Sequence, residues 1–212
     1  MINNQIQKIL ILAPHTDDGE FGCGASIHKW VQQGKTVYYA TFSACKQSVL
    51  PEFPEDVLIT EVKAATKVLG IVPENLLLFD YEVRTFNYHR QEILDDLIRL
   101  REQIKPDLVV IPSLNDIHQD HKTIAEEGLR AFKFFSILSY EMPWNNLVFN
   151  TTCFNTLQEA DVDKKIEALK EYKSQAHRPY SNPAFIKGLA LSRGIQVNAP
   201  FAEVFEVVRW KL

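Results

Sequence analysis

Residues 108–111 read Leu-Val-Val-Ile, with no polar position among them. A strand with one face in water alternates apolar and polar residues, whereas an unbroken apolar run suits a parallel strand covered on both faces. The stretch KILILAP at 8–14 reads as a second buried strand of this kind. TVYYATFS (36–43) and NLLLFD (75–80) add two more strands, rich in β-branched, aromatic and aliphatic residues.

Between these runs the periodicity changes to that of a helix. GASIHKWVQQGK (24–35) places Ile27, Trp30 and Val31 on one face, with Gly34 as a stop. Residues 56–70 carry a stripe of Val57, Val62, Ala65 and Leu69. Residues 90–105 carry Ile93, Leu97, Leu100 and Ile104, and Pro106 ends that helix. In the C-terminal third, strands are expected at 135–143 and 202–210 and helices at 162–175 and 183–194. Strands alternating with helices predict an α/β fold: a Rossmann-like three-layer sandwich with a mostly parallel sheet. The length of 212 residues suits one domain spanning 1–212.

Composition narrows the function classes. Hydrophobic residues make up 46%, enough for a real core, and the formal net charge of −4 argues against a nucleic-acid-binding surface. Cys23, Cys45 and Cys153 are odd in number and form no C-x-x-C pair. They fit a reducing compartment better than a disulfide framework. The N-terminal run ILILA is too short for a signal sequence, and no apolar stretch reaches membrane-spanning length. The expectation is a soluble cytoplasmic protein acting on a small molecule, with no nucleic-acid or membrane partner.

Two polar clusters stand out. LILAPHTDDGEFGCG (10–24) leaves the first strand through His15, Thr16, Asp17 and Asp18. The segment after the fourth strand holds Asp116, His118, Asp120 and His121. Parallel sheets bind ligands beyond the carboxyl ends of their strands, so the clusters can converge. Two imidazoles and a carboxylate form the usual ligand set of a catalytic zinc site with one open position. His15, Asp18 and His121 are the candidate ligands, and the open position takes a water. Asp17 is left as general base, and a protonated His118 as stabiliser of an oxyanion or donor to a leaving amine. Each cluster also has a plain reading. HTDD can cap the helix that follows, and HQDH can be a solvated helix start with Asp120 at the positive end of the dipole.

PHTDDGEFGCGASI followed by HQDH resembles the LmbE-like, or PIG-L, family of zinc-dependent N-deacetylases. The resemblance implies zinc bound by His15, Asp18 and His121, with Fe2+ as an alternative. It implies Asp17 as the base and His118 as the histidine that assists transition-state charge. It also implies an LmbE-like fold and a substrate bearing an N-acetyl group, mostly on an amino sugar. The sequence departs from the family pattern in three places. Thr16 stands where proline is usual, Gly19 precedes Glu20, and Ala25 stands where a third glycine is frequent.

Other residues divide by place. Arg84 follows the third strand and is a candidate to hold a sugar hydroxyl or phosphate; its plain alternative is a salt bridge with Glu82 or Asp80. Arg178 and Tyr180 lie in a proline-bearing loop and are candidate pocket residues. Glu20 is expected to support a ligand histidine by hydrogen bonding. Lys46, His89 and His177 read as solvated, His28 as structural, and Cys23 as a small buried filler. Trp144 reads as core or as a platform for a sugar ring. Phe132, Phe134 and Phe135 read as core or as a contact in a homo-oligomer. Two rival functions remain open: a metal-dependent phosphoester hydrolase, and a non-catalytic sugar-nucleotide binding module.

Overall fold

The alternating apolar runs become strands in the computed structural model, which describes residues 6–211. The start of the N-terminal stretch read above for a signal sequence lies outside the described residues. The strands are β1 (Lys8–His15), β2 (Thr36–Ser43), β3 (Leu76–Leu78), β4 (Leu108–Pro112), β5 (Ser136–Tyr140), β6 (Cys153–Leu157) and β7 (Phe201–Arg209). The helices are α1 (Asp18–Gln32), α2 (Val57–Val68), α3 (Arg90–Ile104), α4 (Gln119–Ala131), α5 (Glu159–Lys170) and α6 (Pro183–Ile195). One seven-stranded sheet runs in the order β3-β2-β1-β4-β5-β7-β6. The first five strands are parallel, and β7 runs antiparallel to both β5 and β6.

The unbroken apolar runs serve two cores at once. Ile9, Ile11 and Ala13 of β1 and Leu108 and Val110 of β4 face one core, with the buried residues of α1, α2, α5 and α6. Leu10 and Leu12, with Val109 and Ile111, face the other, against α3 and α4. Successive side chains point to opposite faces, so a strand covered on both sides needs apolar residues at every position. In α3 the expected stripe is the buried one: Ile93, Leu97, Leu100 and Ile104 are all at most 5% exposed.

Two expectations change. Strand β6 (CFNTL) was absent from the reading of the sequence. It is an edge strand with only Leu157 buried, so its pattern carries little signal. Helix α1 starts at Asp18, six residues before the expected 24, and takes the glycine-rich stretch into its first turns. Those glycines are contact points. A Cβ on Gly19 would lie 2.4 Å from the Tyr39 ring, and one on Gly22 would lie 2.3 Å from the Tyr140 ring. Helix α1 can approach the sheet only where side chains are missing. The helix is irregular at Cys23 (φ −150°, ψ 26°), between Gly22 and Gly24.

The chain runs outward from β1 to β2 and β3, then returns to β4 on the other side of β1. The carboxyl ends of β1 and β4 therefore flank the reversal of strand order, where open α/β sheets bind ligands. Among the described residues, no helix is long and apolar enough to cross a membrane.

Gly19→Ala tests the role of the first glycine. Tyr39 is fully buried and its hydroxyl is hydrogen-bonded, so the ring has little room to yield. The expected loss is about 1–3 kcal/mol, read as a lower urea midpoint at unchanged slope.

Candidate active site

Strand β1 ends at His15, and α1 begins at Asp18 three residues later. Asp17 occupies the N-cap position but makes no side-chain capping bond. The Asp18 carboxylate accepts from the His15 backbone N–H at 2.8 Å. The capping reading of the acidic pair therefore fails: neither carboxylate serves the helix in that way.

His118, Asp120 and His121 come from the start of α4. His118 is the N-cap, and its Nδ1 accepts from the Asp120 backbone N–H at 3.2 Å. His121 lies one turn on, with its ring directed at the end of β1. Asp18 Oδ2 is 3.1 Å from His15 Nδ1 and 3.1 Å from His121 Nε2. The two ring nitrogens are 3.3 Å apart. A tetrahedral zinc with bonds of about 2.0–2.1 Å sets its ligands roughly 3.3–3.4 Å apart. The three donor atoms thus form a triangle of the size such an ion requires. Nitrogens of His15, His118 and His121 also fall within 4.8 Å of one another, so His118 competes with Asp18 on distance alone. Asp18 is better suited: its oxygen is charged and near both other donors, whereas His118 has committed Nδ1 to the backbone.

The far side of each imidazole is held by a carboxylate. Asp120 Oδ2 lies 3.0 Å from His15 Nε2, and Asp116 Oδ2 lies 2.8 Å from His121 Nδ1. Each carboxylate takes one ring N–H, which leaves His15 Nδ1 and His121 Nε2 facing Asp18, where each carries a proton in the ion-free site and offers its lone pair to a cation that displaces it. Such partners fix ring orientation and raise ligand basicity. Both are deeply buried, Asp120 fully and Asp116 at 3% exposure. The sequence reading noted them as neighbours and assigned them no such role. Asp116 also accepts from the His118 backbone N–H, at 2.8 Å.

Electrostatics follow from this packing. Burial alone would raise the Asp18 carboxyl, but the charges and hydrogen bonds of His121 and His15 outweigh it and hold it well below the usual carboxylate range. Burial alone would lower the imidazoles; Asp18 and the supporting carboxylates instead push His15 up to about 8 and His121 up to about 10. The cluster attracts positive charge, so protons and a cation compete for the same lone pairs. Asp17 is pushed up to about 6, first by burial and then by the Asp18 charge. His118 is pushed down to about 4, by burial and then by the charges of His15 and His121.

These groups line a cavity of about 340 Å³ that also includes Arg84, Trp144, Arg178 and Tyr180. Trp144 and Tyr180 stack at 4.1 Å with planes 9° apart, and Phe21 meets both edge-on. They form an aromatic wall, so Trp144 packs with its neighbours and faces the cavity at once. Lys46 is elsewhere, paired with Asp80 at 2.7 Å. His28 pairs with Asp161 at 2.9 Å, and Cys23 is fully buried. Phe132 is core, whereas Phe134 is 73% exposed.

Glu20 requires a correction. It is fully buried, but it hydrogen-bonds Tyr39 and Tyr172 and no ligand histidine. The same two hydroxyls reach the Thr16 carbonyl, at 2.9 and 2.8 Å. Helix α1 turns Glu20 toward β2 and α5, away from the imidazoles. It supports the loop between His15 and Asp17 through the tyrosines. Two hydroxyl protons cannot serve four contacts; a proton on Glu20 satisfies a third. Burial pushes this carboxyl up to about 8, against the hydrogen bonds from Tyr39 and Tyr172.

The donor triangle lies at the switch point of an α/β sheet, with Asp17 in the same cavity and outside the donor set, an arrangement suited to a divalent ion. The family model "PIG-L: GlcNAc-PI de-N-acetylase" matches residues 10–132, and the chain belongs to that family. An uncharacterized deacetylase of Escherichia coli K12, YaiS, is 27% identical over 178 residues, covering 81% of this chain and 93% of its own. Among solved structures, N,N′-diacetylchitobiose deacetylase from Pyrococcus horikoshii superposes with a TM-score of 0.80 at 18% identity, covering 97% of this chain and 85% of its own. GalB, the 4-carboxy-2-hydroxymuconate hydratase of Pseudomonas putida KT2440, superposes at 0.79 with 18% identity, covering 98% of each chain.

Two measurements test this geometry. Asp120→Asn is expected to weaken divalent-ion affinity about 10- to 100-fold at constant pH, read by competition with a chelating dye. Glu20→Gln tests the buried proton. A carboxyl raised from 4.5 to about 8 on folding binds a proton that the unfolded chain releases in that window. This contribution to stability is therefore lost as pH climbs from about 5 to 8, and Glu20→Gln removes that share of the slope while leaving the shares of His15 and His121. Urea midpoints of both proteins in chelator, taken at four pH values, give the comparison; parallel curves refute a buried neutral Glu20.

Proposed function

We propose that this protein removes the N-acetyl group of a small amino-sugar compound, a GlcNAc-type conjugate or sugar nucleotide, by metal-assisted hydrolysis. The observation that carries the reading is the triangle of His15 Nδ1, Asp18 Oδ2 and His121 Nε2, with Asp17 beside it and outside the donor set. These three residues would hold the divalent ion, zinc in the first instance and Fe2+ as the alternative. When bound, the ion would supply Lewis acidity to the amide carbonyl and bring the attacking water's pKa toward neutrality.

The chain's own residues do the rest. Asp17, raised toward neutrality by burial and by Asp18, takes the proton of the attacking water. His118 accepts a backbone N–H at Nδ1, so its ring proton sits on Nε2. With its pKa near 4, it acts as a neutral donor to the developing oxyanion, and not as the imidazolium expected from the sequence. Asp17, now protonated, returns the proton to the departing nitrogen, which leaves as the free amine. Arg84, Arg178, Tyr180 and the Trp144 face supply substrate contacts along the same cavity.

The donor set closes around a single ion. That supports the deacetylase over a phosphoester hydrolase built on two bridged metals. Asp18 and Asp120 are engaged with imidazoles, which speaks against a binding module whose acids only cap helices. Cys23, Cys45 and Cys153 are free thiols and fit a cytoplasmic location.

The test is acetate release from a panel of N-acetylated sugars and sugar nucleotides, with metal analysis on the same sample. One ion per chain and a loss of about 10²–10⁴-fold in kcat for Asp17→Asn at unchanged metal content are expected. Two ions per chain, or full activity in the variant, would overturn the reading.

A further inference from the structure

Helix α1 breaks at Cys23, and two side chains from the C-terminal third of the chain fill the break. In an unbroken helix the Ala25 N–H donates to the Phe21 carbonyl and the Ser26 N–H to the Gly22 carbonyl. Cys23, at φ −150° and ψ 26°, takes the chain out of that register. Both amides turn to one carboxylate: Ala25 donates to Glu203 Oε1 at 3.2 Å and Ser26 to Glu203 Oε2 at 2.6 Å. The Phe21 carbonyl accepts from Lys165 Nζ at 2.6 Å, and Lys165 pairs with Glu203 at 2.8 Å. A carboxylate and an ammonium, bonded to each other, thus stand in the helix ladder where backbone groups would meet.

The insertion is matched to its surroundings. Lys165 comes from α5 and Glu203 from β7, and both are buried at 6% exposure. A Cβ on Gly24 would lie 3.1 Å from Lys165 Cγ, so the glycine after the break makes room for the lysine stem. The signs also suit: the carboxylate meets the N–H groups that open the second segment, and the ammonium meets a carbonyl that closes the first. A buried ion pair gives little stability over apolar residues of the same volume, so stability alone does not account for this one.

The break gives the first turn a direction of its own. That turn holds Asp18, whose carboxylate meets His15 and His121, and Phe21, whose ring meets Trp144 and Tyr180 in the aromatic wall. Phe21 N donates to the Asp17 carbonyl at 3.0 Å, and Lys165 holds the Phe21 carbonyl. The orientation of Asp18 therefore follows from where the pair holds Phe21.

Resting on the metal site of the reading above but not on its substrate, we infer that Lys165 and Glu203 are positioning residues for that site. By keeping α1 broken after Gly22 they aim Asp18 at the two imidazoles. They act through the backbone of Phe21, Ala25 and Ser26.

The test replaces both charges, as Lys165→Met with Glu203→Met. Two buried amides are then left with the Phe21 and Gly22 carbonyls as partners, and the ladder closes across Cys23. The double variant is expected to keep a urea midpoint in chelator close to that of the wild type. It is expected to bind zinc about tenfold more weakly at constant pH, read by competition with a chelating dye. Its crystal structure should show helical φ and ψ at Cys23. Glu203→Gln, which keeps the shape and one acceptor, should lose less affinity. Unchanged zinc affinity in both variants overturns the inference, as does a Cys23 that stays irregular in the double variant. Should only Glu203→Gln fold, its affinity decides: a loss supports the role and wild-type affinity overturns it. If neither variant folds, the pair is a requirement of the fold and the positioning role fails. A wild type that binds no zinc sinks the metal site and this inference with it. Zinc binding by the wild type, with variants that match it, sinks the pair and leaves the site.

Discussion

A buried negative charge has to be paired, and at Asp18 the pairing organises the molecule. The residue is 5% exposed, and its Oδ2 meets two imidazole nitrogens and a backbone N–H. One imidazole comes from the end of β1 and the other from the first turn of α4, 106 positions apart. An isolated carboxylate at that depth would shift its pKa and neutralise. Here it stays ionised because the loops after β1 and β4 bring their histidines to it. The switch point of the sheet puts those loops side by side, and Asp116 and Asp120 then set each ring from behind.

The approach of α1 to the sheet is the second condition. Asp18 points at the imidazoles only if the helix begins immediately after β1 and lies close against β2 and β5. Gly19 and Gly22 leave room for the Tyr39 and Tyr140 rings. Tyr39 then reaches the Thr16 carbonyl, where Tyr172 from the region after α5 meets it. The turn lacks the proline that would stiffen it through φ. Two tyrosine hydroxyls and a buried Glu20 hold it through its carbonyl. Rigidity that the family pattern places in one covalent ring is distributed here over three side chains from three elements.

The sequence made the sheet readable because strands covered on both faces leave no room for polar residues, as in β1 and β4. Helix α3 was readable because its buried stripe repeats at 3.6 residues. Edge strand β6 was not, since it is mostly uncovered and its residues obey no burial pattern. The start of α1 was misplaced because glycines read as turn residues until the rings they accommodate are known. The histidines and acids of the site were visible as residue types at strand ends. The roles of Asp116 and Asp120 were not, because each depends on which ring nitrogen faces inward, a fact of three-dimensional placement. Glu20 shows the opposite error: a carboxylate close in sequence to the ligands was paired with a histidine, but the helical turn aims it at tyrosines.

The same architecture serves a chitobiose deacetylase and a muconate hydratase. Architecture alone therefore does not choose the reaction. The elements contributing to the cavity divide into two groups. The ends of β1 and β4 supply the donor triangle, and their positions are dictated by the sheet and by the buried charge of Asp18. The loop after β3 and the segment between α5 and α6 supply Arg84, Arg178 and Tyr180. These loops are tied to the centre by the Asp120 bond to the Arg84 backbone, the stack of Tyr180 on Trp144 and the bond of Tyr172 to the Thr16 carbonyl. The Arg84, Arg178 and Tyr180 side chains themselves stand outside the donor triangle, so a change of side chain there leaves the paired charges beneath in place. In the proposed reaction, substrate choice and water activation would thus fall to different parts of the chain, and Asp120 is the carboxylate that touches both.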